Sequence, residues 1–388
     1  MLEWLQRRRN IRQRLSVCPT PGGVSLALAD RDENDALVIR WAEHLTLEPE
    51  AGDSVPGSAA AATETAATPD QRAEQRAEQR SSDRRGSDRR ATDRRQGDRR
   101  QMERRDGAGA QATSSASQAT ADPRLVDLLQ RFVRERNLKN IPCTGLLRAG
   151  DYSLVLVDSP DVPPSEIRSA MRWQIRELID FHIDDAVIDV FDLPERDGHS
   201  ARRMYAVAAR RERVLQLISL TNLSGLNLQS IDIPELALRN IAARLPEDAG
   251  GVALIALDRQ QGLMTVTRQD ALYFSRRVDC NTERLLAASE GEDLTPALES
   301  LLDGLTIEIQ RSLDFYERHF SQSSVAGIVI SPVPGLSDKV CAYLQAQLGI
   351  PTRWLDVAAQ CVAPVPEAVL VEGISVLGGA LREEQVAL

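Results

Sequence analysis

The sequence predicts an α/β protein of two domains, the first carrying an inserted small α/β subdomain and a long insertion with no core of its own. Three observations carry that expectation. At 388 residues the chain can bury two sizeable cores. Short β-branched runs alternate with amphipathic helical stretches in two series, split at Gly250 and Gly251. From Glu48 to Ala121 the composition turns to Ala, Ser, Thr, Gly, Gln and Arg, with almost no large apolar residue. Such a segment cannot offset its own ordering entropy.

Residues 1–17 read as a basic leader. Leu2, Trp4 and Leu5 stand beside five arginines, without the apolar stretch of a secretory signal. Residues 18–47 open the first domain with two strands, Gly23 to Asp30 and Ala36 to Leu45, around a polar turn. In the insertion, residues 48–121, AEQR recurs with period four. Asp-Arg-Arg then recurs with period five through Asp83, Asp88, Asp93 and Asp98, with Glu103 in register. Five is neither a helical nor a strand period, so a disordered, low-complexity segment is expected. From Asp70 to Asp106 thirteen arginines face nine acids, so the overall −10 hides −14 elsewhere. A solvated linker is the first expectation for the repeats, and an anionic lipid or other acidic surface, which guanidinium forks suit, the second. Without interleaved aromatics there is no base-stacking element, and no specific nucleic acid is expected.

Residues 122–164 complete the first domain. A helix opens at Pro123 with Leu125, Leu128, Leu129, Phe132 and Val133 on one face, and two strands follow, Thr144 to Leu147 and Tyr152 to Val157. Residues 165–233 read as a helix capped by Ser165, a short loop, a strand from Ala186 to Leu193, then strand, helix and strand. Ile167, Met171, Ile175 and Leu178 make the apolar stripe of the first helix, and Trp173 falls off it. Residues 234–249 are a helix returning to the first domain. Residues 250–368 form the second domain: three strands, a long helix from Thr295 to Phe320, a strand from Val325 to Ile330 and a helix from Leu336 to Leu348. Residues 369–388 are expected to be one helix, Val369 to Leu381, packing back on the first domain.

The order Met171-Arg172-Trp173, a charged helix, Phe181, the acids Asp184 and Asp185 and a closing strand resembles the type IV pilus assembly protein PilM and its relative MshI of the mannose-sensitive haemagglutinin (MSHA) pilus. The likeness extends over roughly Cys18 to Leu47 and Asp122 to Glu384. It implies the actin-like ATPase fold of the FtsA and PilM type, with residues 165–233 as the inserted subdomain. It also implies the role of a cytoplasmic adaptor, peripheral at the inner membrane. Such an adaptor binds the N-terminal peptide of a PilN-like bitopic membrane protein and meets other platform components. Trp173, Arg176, Ile179 and Phe181 are the candidates for that contact.

The fold also implies a nucleotide cleft built on two hairpin turns and a Gly-Gly turn. Glycine is used there because backbone must approach phosphate closely. Aligned on that pattern, the first turn has Ala27 and Ala29 where Asp and Gly are expected, leaving Asp30. The second keeps Asp258 and Gly262 but reads Asp258-Arg259-Gln260. The third is Ser331-Pro332, and proline lacks the N–H. Glu308 and Arg311, on the helix that resembles the family's second-domain helix, are expected to form a surface pair. No cofactor is therefore expected, and Mg·ATP would have only Asp30, Asp258, Gly262, Glu308 and Arg311.

Other chemistry finds no footing. Five scattered cysteines lack a C-x-x-C, and His44, His182, His199 and His319 lack metal-ligand spacing. No Ser sits in a G-x-S-x-G elbow. An adaptor is the first expectation, an actin-like ATPase or nucleotide switch the second, and the cytoplasmic domain of a type II secretion platform the third. No apolar run reaches the roughly 18 residues that span a bilayer.

Overall fold

The computed structural model describes residues 12–47, 121–194, 202–289 and 293–383. Residues 1–11, almost all of the expected disordered insertion and its arginine repeats lie outside the described residues. Among the described residues no helix is long and apolar enough to cross a membrane.

Two five-stranded sheets repeat one topology. The first runs β3 (Leu37–Thr46), β2 (Gly23–Arg31), β1 (Gln13–Thr20), β4 (Pro142–Leu146), β8 (Asn227–Asp232). The second runs β11 (Ala271–Val278), β10 (Gly262–Arg268), β9 (Val252–Leu257), β12 (Gly327–Ile330), β13 (Thr352–Trp354). In each, an antiparallel meander of three strands continues into two parallel ones. The central strands are buried on both faces. On β9, Val252, Leu254 and Ala256 face one core while Ala253, Ile255 and Leu257 face another, as a strand's period of two requires.

Between the sheets lie α4 (Pro234–Ala242) and α9 (Ser375–Ala380), packed on each other. Their approach is backbone-close: a Cβ on Gly378 would stand 1.9 Å from the Ala237 carbonyl oxygen, and one on Gly379 would stand 2.3 Å from Ser16 Oγ. On the outer face of the first sheet pack α1 (Pro123–Glu135) and α3 (Arg211–Leu223). On that of the second pack α6 (Pro296–Phe320) and α7 (Lys339–Leu348), with α5 (Thr282–Ala288) beside α6.

The third sheet, β5 (Tyr152–Asp158), β7 (Arg203–Arg210), β6 (Ala186–Asp192), carries α2 (Ile167–Ile175) on one face. Met204, Ala206 and Ala208 of β7 face Met171 and Ile175. On its other face, Tyr205 donates its hydroxyl to the Tyr273 carbonyl at 3.0 Å and fastens this sheet to the second domain.

Four expectations are corrected. The inserted subdomain is not residues 165–233: β5, expected in the first domain, pairs with β7 in the third sheet, whereas β8 is the edge of the first sheet and α3 packs on that sheet. The leader does not extend to residue 17, because Gln13–Thr20 is the central strand of the first sheet. Ser165 does not cap α2: Glu166 takes the cap position without a side-chain bond, its N–H held by the Pro163 carbonyl in a turn. The last helix is two, α8 (Glu367–Glu372) and α9, separated at Gly373, whose φ of 112° ends α8.

Candidate functional site

The apolar stripe expected on α2 holds only in part: Ile167 is half-buried, and Leu178 lies past the end of the helix and is 39% exposed. Met171 and Ile175 are fully buried, and the opposite side of the helix faces out. Trp173 is 78% exposed there, and Arg176 is exposed beside it. Ile179 and Phe181 are half-buried in the core beneath the helix. The Phe181 ring lies 4.4 Å under the Arg210 guanidinium, which also pairs with Asp180 at 3.1 Å. Arg172 reaches Asp184 at 3.2 Å and the Ile183 carbonyl at 3.0 Å. The four candidate contact residues are thus two of a kind: Trp173 and Arg176 on the surface, Ile179 and Phe181 within a turn clamped by arginines.

The second site is a cavity of about 80 Å³ where the β1–β2 turn, the β9–β10 turn and the end of α8 meet. Each element places a distinct group there. Pro21 caps the first turn and contributes no N–H. Asp258 folds onto its own turn, Oδ1 accepting from the Gln260 and Gln261 amides at 2.7 and 2.9 Å. Burial pushes its carboxyl above the usual carboxylate range, against the pull of those amides. Arg259 Nε stands 3.0 Å from Glu372 Oε1, and the Glu372 side chain is only 10% exposed. Gly373 leaves room for Asp258, whose Cβ would lie 3.2 Å from any added Cβ. On β1, burial raises the Cys18 thiol to about 12, which leaves it protonated and inert at neutral pH.

Of the five residues assigned to a nucleotide, only Asp258 lines this cavity. Asp30 lies at the far end of β2, where Gln13 donates to it at 3.3 Å. Ala27 and Ala29 are buried between the sheets, so the hairpin turn of the first domain is Thr20 to Gly23, one strand earlier than expected. Gly262 serves packing: an added Cβ would be 2.4 Å from Val278 Cγ2. Glu308 accepts the Asp279 amide at 3.1 Å and does not clasp the exposed Arg311. Ser331 is buried, its Oγ accepting from the Leu257 amide at 2.8 Å, and it closes the end of β12.

Sequence reasoning missed Arg148, Arg259 and Glu372, which line the cavity. Arg259 had a signal only in its place next to Asp258, in a turn where Gln260 stands at the glycine position. Glu372 had one only in its neighbour Gly373.

Several groups that could meet a nucleotide's phosphates are already held within the chain. The Gln260 and Gln261 amides are taken by Asp258 and Arg259 by Glu372, while Arg148 and Arg277 also line the cavity. Among the described residues no group of side chains could hold a metal ion.

No protein-family model and no curated protein matches the chain. Solved structures do. The PilM–PilN type IV pilus biogenesis complex superposes with a TM-score of 0.57 at 17% identity, over 96% of this chain and 98% of that one. The cytoplasmic domain of EpsL, an inner-membrane component of the Vibrio cholerae type II secretion system, gives 0.41 at 11% identity, over 96% of each. A Bacteroides thetaiotaomicron protein of unknown function gives 0.40 at 7%, over 99% of this chain and 100% of that one. With the paired sheets, the helices between them and the match to PilM, the chain has the two-domain actin-like ATPase fold with an inserted small α/β subdomain.

Proposed function

We propose that the protein is a non-catalytic adaptor of a type IV pilus assembly platform, at the cytoplasmic face of the inner membrane. The MSHA type is favoured by the MshI-like residue order at 171–193. Its partner is the short N-terminal peptide of a PilN-like bitopic membrane protein, which packs on the small subdomain and covers Trp173 and Arg176. Ile179 and Phe181 hold the turn beneath. The observation that carries this reading is Trp173, an indole 78% exposed on a helix whose other face is fully buried. Exposed tryptophan beside arginine is the composition of an interface anchor. The fold match to PilM, solved as a complex with PilN, supports the choice of partner.

The test contrasts two faces of α2. Trp173→Ala is expected to weaken binding of that peptide by roughly 2 kcal/mol, read by calorimetry, and to leave the melting transition in place. Met171→Ala is expected to cost about 2 to 5 kcal/mol of folding stability. Full peptide affinity in a folded Trp173→Ala protein would move the contact elsewhere. A second reading, a nucleotide switch, has Asp258 in the cavity as its support. A micromolar constant for Mg·ATP in the same instrument would favour it.

A further inference from the structure

The cavity between the hairpin turns and α8 holds charges that the adaptor reading does not use. Its lining carries three acids, Glu235, Asp258 and Glu372, and three arginines, Arg148, Arg259 and Arg277, so its formal charge balances. Each acid is already held within the chain. Glu235 accepts from the Tyr152 hydroxyl, Asp258 from its own turn and Glu372 from Arg259. The Arg259–Glu372 bond joins the β9–β10 turn of the second sheet to α8, whose Val369 packs in the core between the sheets, with Leu37 and Ile39 of the first and Leu254 of the second.

We propose that Glu372 is a built-in occupant of this cleft. Its carboxylate takes the guanidinium that would otherwise meet an anionic ligand, and the same bond fastens the two halves closed. Closure of the fold is then a property of the chain and needs no ligand. The cleft becomes an anion site only when Glu372 is displaced or neutralised. The two partners are unequal. Arg259 is 56% exposed and stays hydrated if left alone, whereas Glu372 is nearly buried and depends on its partner. None of these residues belongs to α2, so the inference stands or falls apart from the peptide contact.

The test uses the full chain and inorganic pyrophosphate, a compact polyanion, in calorimetric titrations at low ionic strength. Glu372→Gln keeps the side-chain shape, frees Arg259 and leaves the lining one positive charge in excess. It is expected to bind pyrophosphate at least tenfold more tightly than the native chain. The Arg259→Gln, Glu372→Gln double variant is expected to return to the native level. A Glu372→Gln protein that binds no better than native overturns the proposal, as does equal binding by the double variant. Should Glu372→Gln fail to fold, hydrogen exchange on Arg259→Gln decides. The Gln260, Gln261 and Gly373 amides are expected to exchange at least tenfold faster, with those of β10 unchanged. Unaltered exchange at the three amides overturns it.

Discussion

Glu247 and Arg353 make the closest two-point ion pair among the described residues that ties the start of the second domain to its far strand. Arg353 Nε and Nη2 reach the two carboxylate oxygens at 2.7 and 2.9 Å. Those bonds hold the Glu247 carboxyl below its usual range, against a smaller opposing effect of burial. A depressed folded pKa contributes stability that is present above the unfolded value of about 4.3 and is lost as pH falls through the folded value. Arg353→Gln should therefore lower the urea midpoint at pH 7 by the equivalent of about 1 kcal/mol at most, and the two proteins should converge toward pH 3. A gap that stays constant from pH 7 to pH 3 would mean that the charge is not the source. Residues of this kind show how far sequence reasoning reaches. Trp173 was legible because it breaks a helical period. Asp30 was misplaced because β1 was hidden: Ser16 on that strand is small where a core strand would be large, and it is small because Gly379 of α9 presses against it. A contact across more than 360 positions leaves no local pattern.

Elements are easier to place than their ends. The long helix α6 and the second-domain meander follow simple periods, and their existence was plain. The C-terminal stretch, Val369 to Leu381, looks like one helix in the sequence, but Gly373, Gly378 and Gly379 each answer a neighbour that only the fold supplies. Two substitutions separate these roles. Gly378→Ala places a methyl 1.9 Å from the Ala237 carbonyl oxygen, which is backbone and cannot step aside. It should cost roughly 3 kcal/mol or more, since α9 must lift off α4. Gly304 lies inside α6 with open space where a Cβ would go. Gly304→Ala should raise stability by about 0.5 to 1 kcal/mol by removing backbone freedom from the unfolded chain. Both are read from urea unfolding midpoints, and a similar loss in both would show that the apparent space over α6 is not available.

For the whole molecule, the two sheets of equal topology close around α4 and α9, and the segment between β3 and α1 is the largest departure from that economy. Val55 and Met102 are the only large apolar residues between 48 and 120, so the segment has little to bury. Its flanks are held together, since Leu47 and Ala121 both pack on the core under α1. Replacing residues 48–120 by about 12 Gly and Ser residues should therefore preserve the cooperative transition. It should also raise stability by roughly 1.5 kcal/mol, because loop closure costs less for a shorter loop. One effect opposes this. The arginine repeats carry +4 against −14 in the rest of the chain, and an attraction between them would be lost with the segment. Salt separates the two: entropy of closure does not depend on it, while attraction between exposed charges is screened over about 8 Å at physiological ionic strength. A shortened chain that is more stable at both low and high salt supports the entropic account. If it is less stable at low salt and equal at high salt, the arginine repeats hold the folded unit by charge. Loss of the cooperative transition at either salt would show that the segment supplies part of the core.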